Sequence, residues 1–104
     1  MPDVIRLERD GPVASMVLAN PPLNLFTDDA FHQLVEAIGE VEDSDARALV
    51  WRAEGEIFSG GVDVHAFQRV VDSGAAEAQR FAQPLIDAVR RLEAIEIPSL
   101  ALVH

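Results

Sequence analysis

Apolar and polar residues alternate from Val4 to Glu8, with Val4, Arg6 and Glu8 on one side and Ile5 and Leu7 on the other, the two-residue period of a β-strand. Asp10-Gly11 is a hairpin turn signal, and Val13 to Ala19 supplies a second strand that should run antiparallel to the first. Asn20 to Phe26 breaks the alternation. Pro21 and Pro22 lack N–H donors and hold their φ angles, so the segment reads as a stiff, partly apolar loop. The period then lengthens: Phe31, Leu34, Val35, Ile38 and Val41 recur at helical spacing, which predicts an amphipathic helix from Asp28 to Val41. Thr27 is placed to cap it, and Asp28 and Asp29 sit where acids favour the helix dipole. His32 lies beside the apolar stripe as a surface histidine, and Glu36, Glu40 and Glu42 form a solvated face.

After the polar Asp43-Ser44-Asp45 loop, Arg47 to Ala53 carries the continuous run Ala48-Leu49-Val50-Trp51. Such a run suits a strand covered on both faces, as in a parallel sheet, so strand, helix and strand compose a right-handed βαβ unit. Glu54-Gly55-Glu56 leads into Ile57-Phe58-Ser59-Gly60-Gly61-Val62-Asp63-Val64-His65-Ala66-Phe67. Two adjacent glycines let the backbone turn sharply, and a helix can start just after them, at Val62 or Asp63. Gly74 should break that helix before the next. Ala75 to Ile95 is of helical composition, with Phe81, Leu85, Val89 and Leu92 on one face and Arg90 and Arg91 at the end that favours cations. Pro84 predicts a kink or break near Gln83. Pro98 opens a last strand, Ser99 to Val103, whose apolar edge calls for a neighbour. The expectation is therefore that these 104 residues are part of a larger domain, or that another chain covers the edge.

Composition narrows the function. There is no cysteine, so neither a disulfide framework nor a thiolate metal site is available. No run of about 18 apolar residues predicts a membrane span, the N-terminus lacks the pattern of a signal peptide, and the cytoplasm is the default location. The formal net charge is −10, with 18 acids against 8 bases, every base an arginine. That balance disfavours nucleic acid, and any phosphate must be held locally, by an arginine or by backbone N–H groups.

Strand, glycine turn and helix start together can hold an oxygen that gains negative charge, because the first N–H groups of a helix lack internal partners. Asp63 next to this turn could be read as a general base, but a first-turn acid more often holds the loop through bonds to backbone N–H groups. Asp63 with His65 offers too few ligands, and diverging ones, for a metal site. Ser59 lacks the Gly-x-Ser-x-Gly elbow of a nucleophile, and Gly60-Gly61 lacks the spacing of a dinucleotide or phosphate-loop fingerprint.

Phe58-Ser59-Gly60-Gly61-Val62-Asp63-Val64 resembles the Phe-Ser-Ala-Gly-Ala-Asp-Leu signature of the crotonase superfamily, the enoyl-CoA hydratase/isomerase group. Asn20-Pro21-Pro22-Leu23-Asn24-Leu25-Phe26-Thr27 is similar to that family's Asn-Pro-Pro-Val-Asn-Ala-Leu-Ser loop, and Ile97 to His104 to its Lys-Pro-Val-Ile-Ala-Ala-Val-Asn strand. The resemblance implies an α/β fold, the N-terminal portion of a crotonase-like ββα-type spiral core. Residues 1–104 would then stop short of the second oxyanion glycine and of the catalytic carboxylates. It implies an acyl-CoA thioester as substrate, no separate cofactor, and an enolate held by backbone N–H groups, the first of them on Val62. Pro22 and Leu23 would line the coenzyme A channel, and Gly60, Gly61, Asp63, Val64 and Phe67 would complete the substrate side, with Val62 and Phe67 bearing on acyl-chain length. His65 stands where the family commonly has a lysine near the nucleotide end of coenzyme A. A complete chain would form a homo-oligomer, a trimer or hexamer, while the 104 residues alone would lack hydratase activity. The alternatives are a non-catalytic acyl-CoA-binding or assembly module of the same fold, and a βαβ domain unconnected with coenzyme A.

Overall fold

A computed structural model describes residues 3–104. Strands β1 (Ile5–Asp10) and β2 (Val13–Leu18) form an antiparallel hairpin. Asp10 pairs with Val13, so the loop residues are Gly11 and Pro12, one position later than the Asp10-Gly11 signal indicated. Gly11 has φ +58. Proline cannot adopt the second positive φ of a type I′ turn, so this two-residue loop fits the II′ form, with glycine first. Helix α1 (Asp28–Glu42) connects β2 to strand β3 (Ala48–Ala53), which runs parallel to β2. Thr27 caps α1 as expected, accepting from the Ala30 N–H at 3.2 Å.

Helix α2 (Val64–Ser73) follows the glycine turn, and α3 (Ala75–Ala94) follows Gly74 at φ +91. The break expected near Gln83 does not occur, and α3 runs through Pro84. Packing along α1 offsets the missing N–H: Phe81 meets Phe31 edge-on at 5.5 Å, Ala88 is fully buried, and Arg91 pairs with Glu42. Strand β4 is shorter than Ser99 to Val103, covering Ser99–Ala101 beside β3 in parallel. The ladder outlasts the strand, because Leu102 N–H still donates to Trp51 C=O at 2.9 Å. The sheet order is β1-β2-β3-β4.

The register sorts the two faces. Leu7, Met16 and Trp51 lie side by side, as do Ile5, Leu18 and Ala53, and this face is covered by Leu34, Ile38 and Val41 of α1. Full cover of β3 on both faces, as its apolar run predicted, is not observed: Val50 on the other face is only half-buried. That opposite face carries ions. Arg6 pairs with Val17, and Val17 with Arg52, so two arginine stems flank a buried valine. Glu8 bridges to Arg52, and Glu54 to Arg6.

Candidate active site

The site is built where the proline loop meets the glycine turn. Asn24 is the one buried polar residue in the described core, 2% exposed, and takes a left-handed φ of +51 that asparagine tolerates better than most residues. Its side-chain Nδ2 donates to the carbonyls of Glu54 (2.7 Å) and Ile57 (2.9 Å), and its Oδ1 accepts from the Asn20 N–H (2.8 Å). Asn20 in turn donates to the Leu25 carbonyl at 2.9 Å. Three backbone groups of two loops are thereby satisfied around the Asn24 carboxamide, which is what permits its burial.

The turn itself is bonded residue by residue. Gly60 N–H donates to Leu23 C=O at 2.8 Å, and Gly61 N–H to the Ser59 hydroxyl at 3.0 Å. Ser59 donates to Asn24 C=O at 2.7 Å. Phe26 and Val62 form an isolated parallel bridge, with Phe26 N–H donating to Gly61 C=O at 2.8 Å and Asp63 N–H to Phe26 C=O at 2.9 Å. Of the four successive N–H groups from Gly60 to Asp63, three are thus used inside the turn. The fourth, on Val62, finds no acceptor among the described residues. A Cβ on Gly60 would meet Leu25 Cδ2 at 3.0 Å and Leu23 C=O at 3.3 Å, and Gly61 sits at φ +99, so both glycines are required by geometry.

The helix does not start at Val62 or Asp63. Asp63 is the cap, its Oδ1 accepting from the N–H groups of His65 (2.8 Å) and Ala66 (3.2 Å), and Val64 is the first helical residue. The Val62–Phe26 bridge holds the chain extended for one residue longer than the glycine pair alone implied. Asp63 has the loop-holding role expected of a first-turn acid. It borders one cleft with His65, Asp28 and Arg69, where Arg69 lies 3.7 Å from Asp28.

An apolar cavity of about 660 Å³ opens beside Val62. Its wall is a run of rings: Phe26 stacks on Phe31 at 5.4 Å and on Trp51 at 6.5 Å, and Trp51 meets Phe58 edge-on at 6.1 Å. Gly61, Leu85 and Leu92 complete much of the lining, and Val62 stays 37% exposed. Pro22, Leu23 and Asp63 share a separate cleft of about 200 Å³. The structure therefore brings Pro22, Leu23, Gly60, Gly61, Val62 and Asp63 together. Val64 and Phe67 lie apart from that cavity, exposed on α2, with Phe67 57% exposed. Asn24 and Ser59 emerge as the residues that hold the turn. The sequence signals for Asn24 were its place just after the two prolines and its match to the asparagine of the family loop, while two of its three partners, Glu54 and Ile57, lie about thirty positions away.

Comparison with known proteins fits this geometry. The family model for enoyl-CoA hydratase/isomerase matches residues 8–104. Probable enoyl-CoA hydratase EchA17 of Mycobacterium tuberculosis is 30% identical over 96 residues, which are 91% of this chain and 36% of that protein. An enoyl-CoA hydratase from Shewanella pealeana superposes with a TM-score of 0.92 over 98% of this chain and 39% of its own, at 20% identity, a likeness of fold. One from Thermoplasma volcanium gives a TM-score of 0.84 at 25% identity, over 96% of this chain and 40% of its own. The chain thus spans less than half the length of these relatives. With the glycine turn, the proline loop and the parallel β3-β4 pair all inside the matched region, the chain belongs to the enoyl-CoA hydratase/isomerase family, the crotonase fold.

Proposed function

We propose that this chain supplies the acyl-thioester cradle of an enoyl-CoA hydratase/isomerase-type enzyme, with the Val62 N–H as a donor to the thioester oxygen. The observation that carries this reading is the accounting of the turn: three of four consecutive N–H groups are consumed internally and the Val62 N–H is spare, beside an apolar cavity. When water adds at C3 of a 2-enoyl thioester, or a proton leaves C2 or C4, electron density moves onto the carbonyl oxygen. A donor fixed beforehand toward that oxygen lowers the barrier, and one such donor is worth about 3 kcal/mol of transition-state stabilisation. Pro22 and Leu23 flank the pantetheine in this reading, and the apolar cavity takes acyl carbons. Asp63 is spent on capping α2 and is not the proton carrier. The acid/base carboxylates and the second oxyanion donor are assigned to sequence outside these 104 residues, and a complete chain is assigned a trimer or hexamer.

The test pairs two measurements on these 104 residues. Calorimetric titration with acetyl-CoA is expected to give heat, and Gly61→Val to abolish it. Turnover of crotonyl-CoA by the 104 residues alone is expected to stay at the buffer rate. Absence of heat at high ligand concentration sinks the cradle, and turnover above buffer sinks the assignment of acid/base groups elsewhere.

A second reading, a non-catalytic assembly module of the same fold, is favoured by the exposed apolar side chains of α2 and β4, among them Val64, Val71 and Leu100. Light scattering separates it: a concentration-dependent oligomer that binds no thioester is its signature.

A further inference from the structure

We propose that Ser59, held by Asn24, is a positioning residue that aims the Val62 N–H. This rests on the reading of that N–H as the thioester-oxygen donor. The Val62 N–H belongs to the same planar peptide as the Gly61 C=O, and in a trans peptide the two point in opposite directions. Phe26 N–H holds that carbonyl at 2.8 Å, so the Val62 N–H is directed away from Phe26. The plane is anchored on this one side only. Its upstream pivot is Gly61, at φ +99, a residue with no side chain to resist rotation.

What stops the pivot is the preceding peptide. Gly61 N–H is bonded to the Ser59 hydroxyl at 3.0 Å, and that hydroxyl spends its own proton on Asn24 C=O at 2.7 Å. A hydroxyl has one proton to donate, so donation to Asn24 turns an oxygen lone pair toward Gly61. Asn24 is immobile because its carboxamide is buried and tied to Glu54 C=O, Ile57 C=O and Asn20 N–H. The sequence of bonds therefore runs from a buried clamp, through one hydroxyl, to the glycine on which the donor peptide turns. Removing the hydroxyl leaves every side chain of the core in place and frees the pivot.

The test compares two thioesters on the parent chain, Ser59→Ala and Ser59→Thr. Acetyl-CoA presents a neutral carbonyl; acetoacetyl-CoA ionises to a stable enolate whose oxygen carries charge. A misaimed donor penalises the charged oxygen far more than the neutral one. Ser59→Ala is expected to weaken acetoacetyl-CoA binding about tenfold while acetyl-CoA changes less than about twofold, with Ser59→Thr restoring the parent ratio. Amide hydrogen exchange at Gly61 and Asp63 is expected to speed up in Ser59→Ala alone. A Ser59→Ala chain with the parent's affinity ratio and unchanged exchange overturns the proposal, as does a Ser59→Thr chain as impaired as Ser59→Ala. If the parent binds neither thioester, the proposed function fails by itself, and the positioning role is then decided by exchange: unchanged protection at Gly61 overturns it.

Discussion

Two surfaces of this chain meet at Asp63 and differ in kind. On one side lie the proline loop, 20–26, and the glycine turn, 54–63, where most backbone polar groups around Asn24 and Gly61 are bonded within or between the two segments. On the other lies α2, where Ala66 is the only buried residue and Val64, Phe67 and Val71 stand in water. The edge of β4 resembles α2, with Leu100 60% exposed. The contrast teaches that order in the turn comes from hydrogen bonds made within the chain, so its geometry is set before any ligand arrives. The α2 face has apolar area and nothing among the described residues to spend it on.

The largest effect that would break the comparison is expected for Asn24→Ala. It orphans the carbonyls of Glu54 and Ile57 together with the Asn20 N–H, and should cost about 3 kcal/mol or more in denaturant unfolding. A loss below about 1 kcal/mol would show that water replaces these bonds and that the clamp is not a clamp. Next comes Gly61→Ala, which places a Cβ at φ +99 in otherwise open space. Backbone strain alone should cost about 1–2 kcal/mol, read as a lowered thermal midpoint.

A smaller effect is expected of pH. Glu54 is held below the usual carboxylate range by its hydrogen bond to Arg6 and by the charge of that guanidinium, and Asp45 likewise by Arg9. A depressed folded-state pKa means stability that is complete above the unfolded pKa, near about 4, and lost as pH falls through the folded one. The thermal midpoint should therefore decline on acidification below about pH 4, and Glu54→Gln should flatten part of that decline. These pairs are solvent-exposed, so high salt should also flatten it. An acid limb identical in Glu54→Gln and parent would remove this ion pair from the account. The smallest effect sharpens the comparison from its other side: Phe67→Ser on α2 should leave stability within about 0.5 kcal/mol of the parent, by chemical denaturation. A loss of several times that would mean that α2 has a partner after all.

Much of the architecture was legible because local chemistry and fold agree. Thr27, the stripe from Phe31 to Val41, and the two strand periods all led to elements found within a residue or two. Two of the misplacements share one cause: the α2 start moves to Val64 and α3 passes Pro84 unbroken, each through a partner distant in sequence. The third is local, Gly11-Pro12 rather than Asp10-Gly11 making the hairpin. Among the site residues, Gly60, Gly61, Val62 and Asp63 stood out by composition and by their likeness to a known signature. Asn24 and Ser59 lie within the matched segments too, but their roles were not legible, since an asparagine after prolines and a serine before glycines are ordinary loop residues until their hydrogen-bond partners are known.

The sequence by itself determined the strand and helix periods, the break at the prolines, the glycine pair and the family, because these depend on residue type and short-range spacing. Only the tertiary structure decided which N–H of the turn stays spare, that Asn24 closes two loops at once, and that four of the aromatic rings gather beside one cavity. Those outcomes depend on hydrogen bonds and ring contacts between residues tens of positions apart, and local propensity carries no information about such pairs.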